Sequence, residues 1–231
     1  MKIASRPAEP FCPVATFGDL TARLEDLTPR LRVHGAESLA IFNELYIVSQ
    51  SGISAAAAAG NFENPAAVES LSAEFGNLYL RAMESLLACG DLPEPWSLAN
   101  SNALHPYMVA LIGANIHINH DLPLALRSSV GDVKDFQRDF YRMDQVFVGT
   151  SRRLFQSCAG MTRTRRVPLF LHSAIERGLC FLIVQWRHAA WSNHLRLRRC
   201  LLSPTELVSR NLRTSRRIRL TSKVLGFHSG Q

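Results

Sequence analysis

Long hydrophobic runs are missing from this chain of 231 residues. No apolar stretch approaches the roughly 18–20 uninterrupted residues that cross a bilayer, so no transmembrane helix is expected. The opening MKIASRPAEPFCPVATFG carries three prolines and no continuous apolar segment, which argues against a secretory signal. Cysteine is scarce and unpatterned: Cys12, Cys89, Cys158, Cys180 and Cys200 form no C-x-x-C pair. An odd count without a framework implies reduced thiols in a cytoplasmic setting, with Cys180 read as a small core residue. Acidic side chains are nearly absent from the last third. Residues 151–231 hold 16 basic and 2 acidic side chains, against 10 basic and 17 acidic in residues 1–150, within a net charge of +7. The simplest account is a basic third that docks on the acidic remainder and ends in a basic tail. Residues 192–226 contain no aromatic to stack on a base, and no helix-turn-helix or zinc module accompanies the charge, so nucleic acid is not expected as a partner.

Several catalytic signatures are absent as well. There is no Walker A loop and no G-x-G-x-x-G, which removes the common phosphate cradles. No D-D-x-x-D occurs to hold magnesium diphosphate, no H-E-x-x-H or E-x-x-H to build a zinc or di-metal helix site, and no G-x-S-x-G elbow for a serine nucleophile.

What remains is helical periodicity over most of the chain. Residues 1–17 read as an irregular lead-in, 18–203 as the helical domain and 204–231 as a basic C-terminal helix or tail. Within the domain, 18–33 gives a short helix with Leu20, Leu24 and Leu27 on one face before Pro29 interrupts it. Longer helices are predicted over 36–59 and about 65–89, the second capped by Asn64 and ended by Gly90. Helical spacing returns at Val133, Phe136, Phe140, Met143 and Phe147, and again in the segment around Gly178. Strand alternation is not sustained anywhere. The expected architecture is an all-α single domain of six to eight helices around a buried central helix at about 106–122.

That central stretch, HPYMVALIGANIHINHDLPLALR, places His105, Asn115, His117, Asn119, His120 and Asp121 in an otherwise apolar run. Burying such groups without partners costs on the order of 2–7 kcal/mol each, so they are either networked or functional. Helical winding puts His117, His120 and Asp121 on one side, below the small residues Ala110, Gly113 and Ala114, with Asn115 and Asn119 opposite. Pro123 is expected to break or kink the helix. A carboxylate four residues after a histidine can orient the ring and raise its basicity.

The segment IGANIHINHDLPLAL (112–126) resembles the signature G-x-N-A-H-I-N-x-D-L of a helical family catalogued as domain of unknown function 5995. Phe42, Tyr46, Phe62, Pro65, Phe75, Asn77, Tyr79, Pro95-Trp96 and the RHAAW of 187–191 fit the same pattern. The resemblance covers roughly 37–200. It implies an all-helical fold and singles out Asn115, His117, Asn119 and Asp121, but carries no reaction with it. Ile116 replaces the usual alanine, and position 120 varies in the family, so a mechanism resting on His117 and Asp121 is firmer than one that needs His120.

The residues support a cofactor-free apolar pocket in which His117 transfers a proton, Asp121 orients it and Asn115 or Asn119 binds a carbonyl oxygen, giving acid-base cyclisation or isomerisation of an apolar terpenoid, polyketide or lipid-like molecule. Tyr46, Asn119, His120, His105, Trp191 and Arg187 are the expected substrate contacts, Trp191 being spaced either to stack on Arg187 as a lid or simply to pack between helices. Two alternatives stand beside this: a hydrolase with zinc or iron on His117, His120 and Asp121, completed by His105 or Asp144, and a non-catalytic binder of an apolar ligand. The expected partner is a small molecule, and a homodimer is left open.

Overall fold

The first and third helices begin where the sequence provides a side-chain cap. Thr16 accepts the Asp19 N–H through its side chain and opens α1 (Phe17–Val33), whose Leu20, Leu24, Leu27 and Leu31 are buried. Pro29 does not interrupt this helix, which runs through it to Val33. Pro29 and Glu25, whose carbonyl loses its partner, are both exposed, so water can take the place of the missing N–H. The second helix, α2 (Glu37–Ala58), buries Leu39, Phe42, Tyr46, Gln50 and Ile53 along one side. Asn64 accepts the Ala67 N–H to start α3 (Pro65–Cys89), and Gly90 ends it at φ 74°.

The computed structural model describes residues 11–101, 106–131, 133–161 and 169–224. Among them there is no strand, and the order continues with a short 3-10 turn at Trp96–Leu98, α4 (Pro106–Ile116), a π turn at His117–Asp121, α5 (Leu122–Ser129), α6 (Val133–Met161), α7 (Leu169–Arg198) and α8 (Pro204–Val224). The helix expected over about 106–122 is thus the first part of a longer rod, α4 through α5, that packs against α2, α3, α7 and α8. It is the centre of an all-α domain. No helix among the described residues is long and apolar enough to cross a membrane.

Pro123 neither breaks nor ends the rod. The turn before it widens instead, and the Leu122 N–H donates to the His117 carbonyl, five residues back. A proline one position further on has no N–H to give and crowds the carbonyl four residues before it, so shifting the ladder by one residue accommodates the ring without ending the helix.

Of the segment read as a basic helix or tail, Pro204–Val224 is helix α8. Leu207, Asn211 and Ser215, at i, i+4 and i+8, are buried, whereas Arg210, Arg213, Arg216 and Arg217 are exposed. α8 lies on α4 and on the π turn.

Candidate functional site

The wide turn shapes the site. Neighbouring residues on a regular helix do not face one another, yet here His120 reaches the adjacent Asp121, with Nδ1 2.7 Å from Oδ1. His117, one turn earlier, brings its Nδ1 to 2.9 Å from Asp121 Oδ2. The Trp96 indole N–H, delivered by the 3-10 turn, donates to the same Oδ2 at 3.1 Å. Burial works against the charge of Asp121, but the hydrogen bonds from His117 and His120 outweigh it and hold the carboxyl below its ordinary value. It is an ionised carboxylate with three donors, and both imidazoles present Nδ1–H to it.

This arrangement fixes the chemistry of His117. Burial lowers its pKa, and the opposing pull of Asp121 does not restore it. The ring is therefore neutral, with its proton on Nδ1 and a bare lone pair on Nε2. That Nε2 is buried and has no hydrogen-bond partner. Aromatic rings enclose the imidazole: Phe75 stacks on it at 3.5 Å between centroids, and Tyr46 meets it edge-on at 4.6 Å. Trp96, Tyr79 and Phe42 complete the shell at 5.9, 5.7 and 6.0 Å.

A cavity of about 160 Å³ lies beside His117, between α2, α3, α4, the π turn, α6 and α7. An engineered apolar cavity of about 150 Å³ is large enough to take up benzene. Phe42, Tyr46 and Phe75 form part of the wall, together with Met143 and Phe147 of α6 and Ile183 of α7. Two further polar atoms on cavity-lining residues are buried without a partner, Tyr46 Oη and Gln50 Nε2. Burial pushes the Tyr46 phenol well above its ordinary value, the charge of Asp121 adding to the effect, so it carries its proton.

Gly113 explains how α2 comes so close. A Cβ at this position would run into the Phe42 ring. Ala114, one residue on, lines the cavity. Small residues above His117 therefore serve both uses at once, seating a neighbouring ring and leaving open space.

The other expected site residues are distributed differently. Arg187 lines the cavity but is tied down: its Nε donates to Asp144 Oδ1 at 2.6 Å and its Nη2 to the Phe140 carbonyl at 2.8 Å. The guanidinium stacks on Phe140 and Phe147, at 4.4 and 4.7 Å, rather than on Trp191. Trp191 is buried against Phe140, 4.7 Å away, and does not line the cavity. Asn115 and Asn119 face away from it, towards α8. The Asn115 amide donates to Ser215 at 2.8 Å and accepts from Asn119 at 3.0 Å, while Asn211 donates to the Asn115 backbone carbonyl at 2.9 Å. The structure thus brings together His117, Asp121, His120 and Tyr46, and separates them from Asn115, Asn119 and Trp191. His105 lies outside the described residues.

The proposed metal ligands do not assemble. Among the described residues no group of three or more His, Cys, Asp and Glu is arranged to hold an ion. His117 and His120 both direct Nδ1 at Asp121, and Asp144 is engaged by Arg187 and by His188 at 2.9 Å.

Two participants were not singled out from the sequence as members of the site. Trp96 appeared only as part of a pattern, with nothing in its loop to say that it would donate to Asp121. Gln50 sits four residues after Tyr46 and seven after Asn43, and an amide in that buried register was the available signal.

The model of a family of unknown function, domain of unknown function 5995, matches residues 18–225. The match extends beyond the 37–200 over which the resemblance was traced, and it takes in α1 and α8. No curated protein matches the chain. No solved structure matches it either.

Proposed function

This chain belongs to that family, whose function is unknown, and we propose from its own geometry that it is a small-molecule enzyme performing acid-base isomerisation or cyclisation of an apolar substrate. One observation carries the reading: His117 lines an apolar cavity, its Nε2 is a buried lone pair without a partner, and its other nitrogen is held by an ionised carboxylate. A base that has lost its water and kept its proton acceptor is prepared to take a proton from a bound molecule. Asp121 stabilises the imidazolium that results, and Trp96 and His120 keep the carboxylate in place. The proton then returns to a different atom of the substrate. Substrates of about the bulk of a six-membered ring suit the space.

The test uses cyclohexanone as a small apolar C–H acid. In deuterated buffer the protein is expected to speed deuterium entry at the carbons beside the carbonyl, followed by NMR. His117→Gln should reduce this exchange by about 10²-fold or more, within the range of general-base contributions, while the circular dichroism spectrum and melting temperature show a folded protein. Unchanged exchange in a folded His117→Gln variant removes His117 from the role. If wild-type protein binds the ketone without any exchange, the site is a binder rather than an enzyme.

A further inference from the structure

The cavity holds more unpartnered hydrogen-bonding capacity than the base alone requires. Tyr46 and Gln50 are four residues apart on α2, so their side chains leave the helix on the same face. They are 7% and 3% exposed. Both line the cavity, and neither Tyr46 Oη nor Gln50 Nε2 has a hydrogen-bond partner. A buried donor without an acceptor is costly, and two on neighbouring residues of one cavity call for an explanation. The phenol keeps its proton and the amide nitrogen is a donor by its nature. Residues that line the cavity thus carry two unpartnered donors on α2 and one unpartnered acceptor, His117 Nε2, on the central rod.

We propose that this set recognises a carbonyl: the substrate class is a small apolar ketone or enone whose oxygen lies between Tyr46 and Gln50 and whose acidic C–H faces His117. The inference rests on the acid-base reading of His117 and adds to it the substrate's functional group and a site for the charge that develops. The proton balance closes without any other reactant. The C–H bond beside the carbonyl breaks and its proton passes to His117 Nε2. The bonding pair becomes a carbon–carbon π bond, and the carbonyl π pair moves onto oxygen, where the Tyr46 O–H and the Gln50 N–H stabilise the enolate. Return of the proton from Nε2 to the same or a conjugated carbon regenerates a ketone, exchanged or isomerised. No hydride, metal or water is consumed. The donors come from a different helix than the base, so substrate is held from two sides.

The experiment measures binding and carbonyl vibration in the full chain, with carbonyl-13C cyclohexanone as probe and methylcyclohexane as its hydrocarbon counterpart. Wild-type protein should bind the ketone more tightly than the hydrocarbon and shift the carbonyl stretch to lower frequency than in hexane. Tyr46→Phe and Gln50→Leu should each weaken ketone binding about 3- to 10-fold, the size of one hydrogen bond, leave methylcyclohexane within about twofold, and move the stretch back towards its hexane value. The double variant should reach that value. His117→Gln should retain the shift although it loses deuterium exchange. Equal binding of ketone and hydrocarbon, no binding of either, or a stretch that both α2 substitutions leave unmoved overturns the proposal. A shift that depends on Tyr46 and Gln50 without exchange in wild type upholds the carbonyl site and refutes the acid-base reading, so the two fail separately.

Discussion

The central rod carries two polar seams, and they end differently. On one side Asn115 and Asn119 meet Asn211 and Ser215 of α8, and none of the buried side-chain atoms in this group lacks a partner. On the other side Asp121 is fully engaged, but His117 Nε2, Tyr46 Oη and Gln50 Nε2 are buried and unpaired around a cavity. The polar seams look alike in sequence: a side chain that dislikes an apolar setting, repeated at helical spacing. One is a clasp that fixes α8 on the core. The other leaves hydrogen-bonding capacity unused by the protein's own groups, and the proposed function rests on that capacity. A buried polar residue thus indicates function by what it leaves unpaired, not by its burial.

The sharpest way to break the comparison is to cross it. Asn115→Ala removes the acceptor of Asn119 and the principal partner of Ser215, and opens a small void. Chemical denaturation should show a loss of roughly 2–4 kcal/mol, while deuterium exchange in the still-folded fraction stays near wild type. Asp121→Asn should do the reverse. The amide oxygen takes the place of Oδ2, which accepts from both His117 and Trp96, and the NH2 turns to His120, so the imidazolium loses the negative charge that stabilises it; exchange should fall by about 10²-fold or more with a smaller change in stability. If Asn115→Ala abolishes exchange without loss of stability, the seams have been assigned to the wrong roles.

How much of this was legible beforehand depends on range. Caps, turn glycines and apolar spacing are local, and they located most helices: Asn64 and Gly90 bound α3 as read. The all-α fold followed from the same signals, and the two-sided winding of 105–127 separated His117 and Asp121 from Asn115 and Asn119 correctly. Pro29 misled, and Pro123 alters the ladder without breaking the rod. Their cost depends on whether water or an altered ladder can absorb the lost N–H, which is a tertiary matter for Pro29 and for Pro123. The docking of α8 could not be read because Asn211 and Ser215 look like ordinary polar residues in an arginine-rich helix until Asn115 is seen opposite them. Gln50 was hidden because nothing local separates it from Asn43, seven residues earlier on the same face, whose amide nitrogen is spent on Leu24 and Thr28.

A smaller effect sharpens the cavity side. Gly113→Ala places a methyl group against the Phe42 ring, which borders the cavity and meets His117 edge-on. Either α2 moves outward or Phe42 turns into the open space, and overpacking of this kind costs about 1–3 kcal/mol. Ketone affinity and exchange should both decline, because the ring that yields is part of the wall. Retained stability and binding would mean that the α2 contact is looser than the seam comparison requires.

The smallest effect comes from comparing His117 with the second buried histidine. His194 has neither ring nitrogen partnered, and it lies 5.7 Å from Trp191 without lining the cavity. Burial, assisted by the charge of Arg198, lowers its pKa from the ordinary 6.5 to about 4. Between those values the unfolded chain binds a proton at this position and the folded chain does not, so stability falls as the pH drops from 6.5 towards 4 and His194 adds nothing further below that. His117 acts in the same direction. His194→Leu replaces an unpaired imidazole with an apolar side chain of similar size and should be neutral to mildly stabilising at pH 7. Its melting temperature should decline less than that of wild type between pH 6.5 and 4, with the residual slope belonging in part to His117 and removed by adding His117→Gln. An unaltered slope in His194→Leu would mean that His194 finds a proton acceptor on folding, and that the cavity side is not alone in leaving a histidine open.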